Sequence, residues 1–367
     1  MTAGIHMYRP QVAQRSLALL EGVFESGWIG LGPMTQQFEE ALASPDLVGK
    51  YPVAVNSGTA ALHLALMVAD VPRGSTVIVP ANTFISTAAV VLLHQCRVVL
   101  ADIEPATGNI DLESVRQILE TESAVRAIIA VHYAGLPCDI TGLSELAAEH
   151  DLVIIEDCAH AVGARWSDHA MSESPNIQAY SFHATKAIAI GEGGCVTCPD
   201  AASAQRAKRL RRLGIDMSTR SWSNPYDIPE IGCKYNMGDV AAAIGLAQLE
   251  TLPESQRQRQ AILERYRNNF TDTGVSQVRE TRPGDRSAGF AVPIRVQNRE
   301  TLRKNLHVAG IETEIYFRSL ADFPIGCTRP VPRAQRFSEE VLCLPIHPGL
   351  TPADVDYISE QVCKNLE

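Results

Sequence analysis

Apolar residues fall along this chain in two rhythms: short unbroken runs rich in Val and Ile, and longer stretches that return every three or four positions. The runs predict strands over 53–55, 76–79, 98–101, 127–131 and 153–155, and the longer stretches predict helices over 11–26, 34–43, 60–68, 83–93, 112–120 and 143–150. Strands apolar throughout, alternating with helices, imply a mostly parallel sheet sandwiched between helices, an α/β fold whose ligands bind beyond the carboxyl ends of the strands. Two further strands, 177–182 and 195–197, flank a glycine-rich turn, followed by a helix over 201–213, an irregular polar stretch over 214–232 and an alanine-rich helix over 240–252. Around Pro253 the character changes to a polar helix over 255–270, strands over 290–296, 311–317 and 341–344, and helices over 300–309 and 352–365, with an irregular Pro-rich stretch up to Pro332. The expected organisation is a large domain over 1–252 and a smaller C-terminal α/β domain over 253–367.

Composition narrows the function classes. Of 367 residues, 46% are hydrophobic and 20% charged, which excludes a disordered or fibrous chain. The net charge is −10, and the densest basic stretch, Arg206 to Arg212, reads as a solvated helix face, so a nucleic-acid partner is not expected. The amino terminus lacks the apolar core of a signal peptide and no stretch approaches the roughly 18 apolar residues of a membrane span, so a cytoplasmic protein without a membrane partner is expected. Nine scattered cysteines fit reduced thiols better than a disulfide framework, and the lone Cys195-x-x-Cys198 pair lacks the second half of a metal site.

Four polar insertions at predicted strand ends carry the candidate chemistry. Ser57-Gly58-Thr59 opens a helix, where free N–H groups and the helix dipole suit a phosphate, although a plain N-cap explains the hydroxyls equally. Phe84 opens the next helix and reads either as a stacking surface or as core. Asp157 ends an apolar strand, where a buried carboxylate needs a cation: a protonated ring nitrogen, or a metal shared with His160. Lys186 sits between two buried strands; if desolvated, its pKa falls below the free value of about 10.4 and the amine can attack a carbonyl, and otherwise it snorkels to water. Trp28, among glycines, lines a pocket or packs under a helix.

Taken together, VNSGTAALHLAL, VPANTFISTAAVV, EDCAHAVGA, SFHATKAIAIGEGG and GCKYNMGDVAAAIG resemble the DegT-type sugar aminotransferases, fold-type I enzymes dependent on pyridoxal 5'-phosphate (PLP). The resemblance runs from residue 28 to about residue 252, and more loosely beyond. It implies that Lys186 bonds to the cofactor aldehyde and later moves the proton, and that Asp157 keeps the pyridine nitrogen protonated. It implies further that His160 contacts the phenolic oxygen, where many relatives have glutamine, that Ser57, Gly58, Thr59 and Ser181 hold the phosphate, and that Phe84 stacks on the ring. Lys234, where relatives often carry asparagine, would reach the neighbouring subunit's phosphate, which makes the expected unit a homodimer with shared active sites. The implied reaction moves an amino group from L-glutamate to a keto sugar, such as a nucleotide-linked keto-deoxysugar. An aminotransferase of keto-cyclitols shares every cofactor residue, whereas retention of Lys186 argues against a sugar dehydratase and retention of Lys186 with Asp157 against a regulatory homologue. Asn236, where arginine is frequent, and the segment IETEIYFRSLADFPIGC depart from the family pattern, so the acceptor stays open.

Overall fold

The structure, a computed structural model, describes residues 4–326 and 329–366. Its centre is a seven-stranded sheet built from β1 (Pro52–Val55), β2 (Thr76–Pro80), β3 (Arg97–Ala101), β4 (Val125–Val131), β5 (Val153–Asp157), β8 (Ile177–Ser181) and β9 (Gly194–Thr197), with β6 (Arg165–Trp166) and β7 (His169–Ala170) forming a separate small ribbon. The order is β1-β9-β8-β5-β4-β2-β3, and the pairs β3/β2, β2/β4, β4/β5 and β5/β8 are all parallel. Only β9 runs against its neighbours, because it returns from β8 through the lysine loop. Helices α1 (Ser16–Ser26), α2 (Pro33–Leu42), α3 (Gly58–Val68), α4 (Ile85–Leu93), α5 (Leu112–Leu119), α6 (Ile140–Glu149) and α7 (Ala201–Leu210) cover the sheet, with separate apolar clusters on its two faces. Most of these elements match the expectation to within a few residues.

Three differences from the expectation have identifiable causes. The helices expected over 240–252 and 255–270 are one, α8 (Asp239–Asn269), which continues past Pro253. Proline removes one N–H and normally breaks a helix, but here packing against α1, α2 and the C-terminal helix α11 (Pro352–Lys364) holds the two halves in line. The small residues of its first half serve contact with α2: a Cβ on Gly245 would lie 2.7 Å from the Phe38 ring. The strand expected over 311–317 forms only single bridges, Ile5 with Ile311 and Glu314 with Cys343. Its backbone is claimed by side chains instead, the Tyr316 carbonyl by the Tyr133 hydroxyl and the Phe317 N–H by Asn82 Oδ1 at 3.1 Å. An unanticipated helix, α10 (Pro332–Glu340), begins with proline in its first turn, where no N–H is needed.

The C-terminal part contains a three-stranded antiparallel sheet, β10 (Ser276–Gln277), β11 (Val292–Arg295) and β12 (Val341–Leu344), with α9 (Arg299–Val308) and α11 around its own apolar cluster. That cluster also takes in Ile262, Leu263 and Tyr266 of α8, so this one helix belongs to both halves of the molecule. No helix among the described residues is long and apolar enough to cross a membrane. Cys327 and Thr328, in the expected Pro-rich stretch, lie outside the described residues; the other cysteines are free thiols, with Cys195 and Cys198 buried in and just after β9.

Two buried acids join these layers. Asp239 accepts from the N–H groups of Gly32, Met34 and Thr35 and so caps the start of α2, where a carboxylate meets the positive end of the helix. Glu39 pairs with Arg211, whose guanidinium also donates to the Ala54 carbonyl of β1 at 2.6 Å. Both side chains are nearly sealed from solvent, 7% and 6% exposed. Arg211→Leu leaves the buried Glu39 carboxylate with only Lys208, 3.3 Å away, and the Ala54 N–H, so it is expected to lower stability by about 2 kcal/mol. Urea unfolding followed by circular dichroism measures this, and a midpoint unchanged from wild type would contradict it.

Candidate active site

The carboxyl ends of β1, β2, β5 and β8 converge on one cavity of about 400 Å³. At the end of β1 the chain turns at Ser57, the extended N-cap of α3, whose Oγ accepts from the Ala60 N–H at 3.0 Å. Capping and cradling are compatible here. Ser57 satisfies the third helical N–H, while those of Gly58 and Thr59 have no acceptor within the helix. A Cβ on Gly58 would lie 2.7 Å from Ser181 Cβ and 3.0 Å from its Oγ, so only glycine lets α3 start against the end of β8. Gly58→Ala is therefore expected to displace Ser181 and to weaken binding of a phosphate-bearing cofactor about tenfold, or roughly 1.4 kcal/mol. Fluorescence titration of the purified chain reads this directly.

At the end of β5, alternation sends two adjacent carboxylates to opposite faces of the sheet. Glu156 faces inward and accepts from Gln178 Nε2 at 2.8 Å, Asn176 Nδ2 at 2.7 Å, Ser174 Oγ at 2.5 Å and His132 Nε2 at 3.3 Å. Burial alone would raise its pKa, but these donors overcome it and hold Glu156 below the usual carboxylate value. Asp157 faces the cavity with fewer partners, the Ala159 N–H and the Thr87 hydroxyl, both at 3.1 Å. Here burial wins and raises the pKa, despite those donors and the positive charge of Lys186. A fully buried acid left under-compensated in a crevice is arranged to meet a cation. The metal reading fares less well: the potential ligand group among the described residues is His132, Glu156 and Cys158, which excludes both Asp157 and His160.

Lys186 lies in a loop closed by backbone pairs, Ala184 N–H to Gly191 and Lys186 N–H to His183. Its side chain is partly buried, and Nζ rests 4.4 Å from the centre of the Phe290 ring. Burial pushes the ammonium down to about 8, against the pull of Asp157. His160 stacks on the other partner of that arrangement, its ring 3.7 Å from that of Phe290 and within 10° of parallel. Burial, and then the charge of Lys186, lower its pKa well below the ordinary histidine value, so the imidazole is neutral. Its Nδ1 is buried without a partner, a polar atom left for a ligand in the cavity.

Ser57, Gly58, Thr59, Phe84, Asp157, His160, Ser181 and Lys186 all line this single cavity. Phe84 is not core: it is 58% exposed, with its ring 6.1 Å from Phe317. Lys234 does not line the cavity; it is exposed, although the next residues run beside the end of β1 through a Val55–Asn236 bridge. Trp28 also stays outside, 57% exposed with its indole N–H donating to the Leu31 carbonyl at 3.0 Å. Sequence reasoning missed Tyr8, from the N-terminal segment, and Phe290; Tyr316 and Phe317 complete the wall from the segment whose departure from the family pattern was noted. Neither Tyr8 nor Phe290 sits in a polar insertion that would have marked it.

The donor set fits PLP on several counts: an amine of lowered pKa for its aldehyde, a buried acid for its ring nitrogen, an unpartnered imidazole atom, and a helix start open to phosphate. Comparison with known proteins points the same way. The aminotransferase TlmJ from Streptoalloteichus hindustanus is 30% identical, with 99% of each chain covered and a TM-score of 0.91. The sugar aminotransferase CalS13 from Micromonospora echinospora is 28% identical over 98% of this chain and 99% of its own, with a TM-score of 0.92. Spr1654 from Streptococcus pneumoniae, solved in a PLP form, is 27% identical over 99% of this chain and 100% of its own, with a TM-score of 0.90. The model of the DegT/DnrJ/EryC1/StrS aminotransferase family matches residues 10–363, and this chain, built around one lysine-bearing crevice, belongs to that family of sugar aminotransferases.

Proposed function

We propose that this chain uses PLP to move an amino group from L-glutamate to a keto sugar, a nucleotide-linked keto-deoxysugar, in the cytoplasm. The observation that carries the reading is Lys186: an amine whose pKa is lowered to about 8, in the same crevice as the buried acid Asp157. PLP supplies an aldehyde that accepts the amine and a ring that delocalises the electrons released at the donor's alpha carbon. Ser57, Gly58, Thr59 and Ser181 hold its phosphate, Phe84 covers its ring, and neutral His160 donates to its phenolic oxygen. Asp157 keeps a proton on the ring nitrogen, which a carboxylate in a dry site does strongly. Lys186 Nζ, free to move once the donor is bound, would take the proton from the donor's alpha carbon and return it to the aldehyde-derived carbon two atoms along. Lys234, exposed outside its own crevice, reaches the phosphate of a second copy, so the working unit is a homodimer.

Borohydride reduction of the PLP-loaded protein, followed by peptide mapping, tests the cofactor assignment. The label belongs on Lys186, and a label elsewhere or none overturns the reading. A donor and acceptor screen with keto-deoxysugar nucleotides and keto-cyclitols, following 2-oxoglutarate, tests the substrate. Turnover confined to the cyclitols would refute the sugar assignment while leaving the transaminase intact.

A further inference from the structure

A second cavity, of about 30 Å³, adjoins the crevice and shares Tyr8, Thr185 and Lys186 with it. Its lining includes Arg9, Arg259 and His347 but no aspartate or glutamate, in a chain whose net charge is −10. Arg259, on α8, is 8% exposed. Its Nη1 donates to the carbonyls of Gly289 at 3.3 Å and Ile346 at 3.0 Å, while its Nε is buried with no partner. Arg211 also leaves its Nε buried and unpartnered, but there a carboxylate, Glu39, meets the guanidinium charge. Arg259 has no ion pair among the described residues, and neither has Arg9.

An uncompensated buried charge is costly, and carbonyl dipoles offset only part of that cost. Burial lowers the pKa of Arg259 to about 10, still well above neutrality, so the charge persists. His347 does not balance it. The His347 Nδ1 accepts from the Gly349 N–H and its Nε2 donates to the His6 carbonyl, which fixes a neutral ring. Burial first, and then the charges of Arg259 and Arg9, lower its pKa, so the two guanidinium groups act on the same spot. At about 30 Å³ the space has room for an ion of one or two atoms, since a water needs roughly 10–15 Å³.

We propose that this cavity is an anion site that holds one small monovalent inorganic anion of chloride size, with the Arg259 guanidinium as the principal donor and Arg9 as the second positive charge. The anion ties together the N-terminal segment, the lysine loop, α8 and the segment around His347, the four stretches that meet there. The cavity also touches Lys186, so it is tested on the purified full chain in sodium gluconate at fixed ionic strength, by readouts that do not depend on turnover. Replacing gluconate by chloride should broaden the chlorine NMR line saturably and raise the thermal midpoint by about 2 °C or more. Arg9→Gln, at an exposed position, should weaken the saturation severalfold without unfolding the chain; Arg259→Gln should abolish it, and Arg259→Lys should restore part. Absence of a saturable component in the wild type, or saturation unchanged in both Arg9→Gln and Arg259→Gln, overturns the proposal.

Discussion

Lys186→Ala is expected to slow amino transfer by about three orders of magnitude or more, because one side chain supplies both the nucleophile and the proton shuttle. The variant should still bind PLP, held by the α3 start and Asp157, but the cofactor should wash out on dialysis and borohydride should leave no label. The pH dependence identifies the group. In the wild type the neutral amine grows as pH rises through about 8, so the rate of PLP loading should climb to pH 8 and level off above it. A lysine with the free value of about 10.4 would keep accelerating past pH 10. Turnover near the wild-type rate in the alanine variant would remove Lys186 from the mechanism.

Asp157→Ala should have the second-largest effect, a loss of about 10²- to 10⁴-fold in kcat with a smaller change in KM. Breaking a buried charge pair costs about 3–5 kcal/mol, and each 1.36 kcal/mol is tenfold in rate. The loss should fall on kcat because the ring proton matters most when charge builds up at the alpha carbon. Reconstitution with a cofactor methylated at the ring nitrogen, which carries its positive charge permanently, should recover part of the rate in the alanine variant and none in Lys186→Ala. Equal behaviour of the two variants toward that analogue would separate Asp157 from the ring nitrogen.

The parallel sheet and the polar insertions at its edge were legible because burial imposes a simple code on them. Every residue of β2 is buried, and a break such as Pro80 to Phe84 after such a run stands out. The rest of the wall was not legible for the same reason in reverse. Phe290 lies more than a hundred residues beyond Lys186 in an ordinary apolar segment, and only the fold brings its ring under the amine and beside His160. The stretch over 311–317 has strand-like composition, yet Asn82 and Tyr133 take the groups a ladder would have used. Pro253 was read by its local cost, and the packing that offsets this cost comes from helices distant in sequence.

The opposite facing of Glu156 and Asp157 also separates two kinds of failure that usually travel together. Glu156 is wired into the interior by five side-chain donors, the Cys158 thiol among them, so its amide variant should be caught by the cell's quality control before it meets any substrate. Its neighbour carries little of that scaffold, and its variant should accumulate to normal abundance as a well-folded but idle protein. A survey of expression levels would flag the first residue and pass over the second, while a survey of product yield would flag both and tell them apart only beside the other measurement.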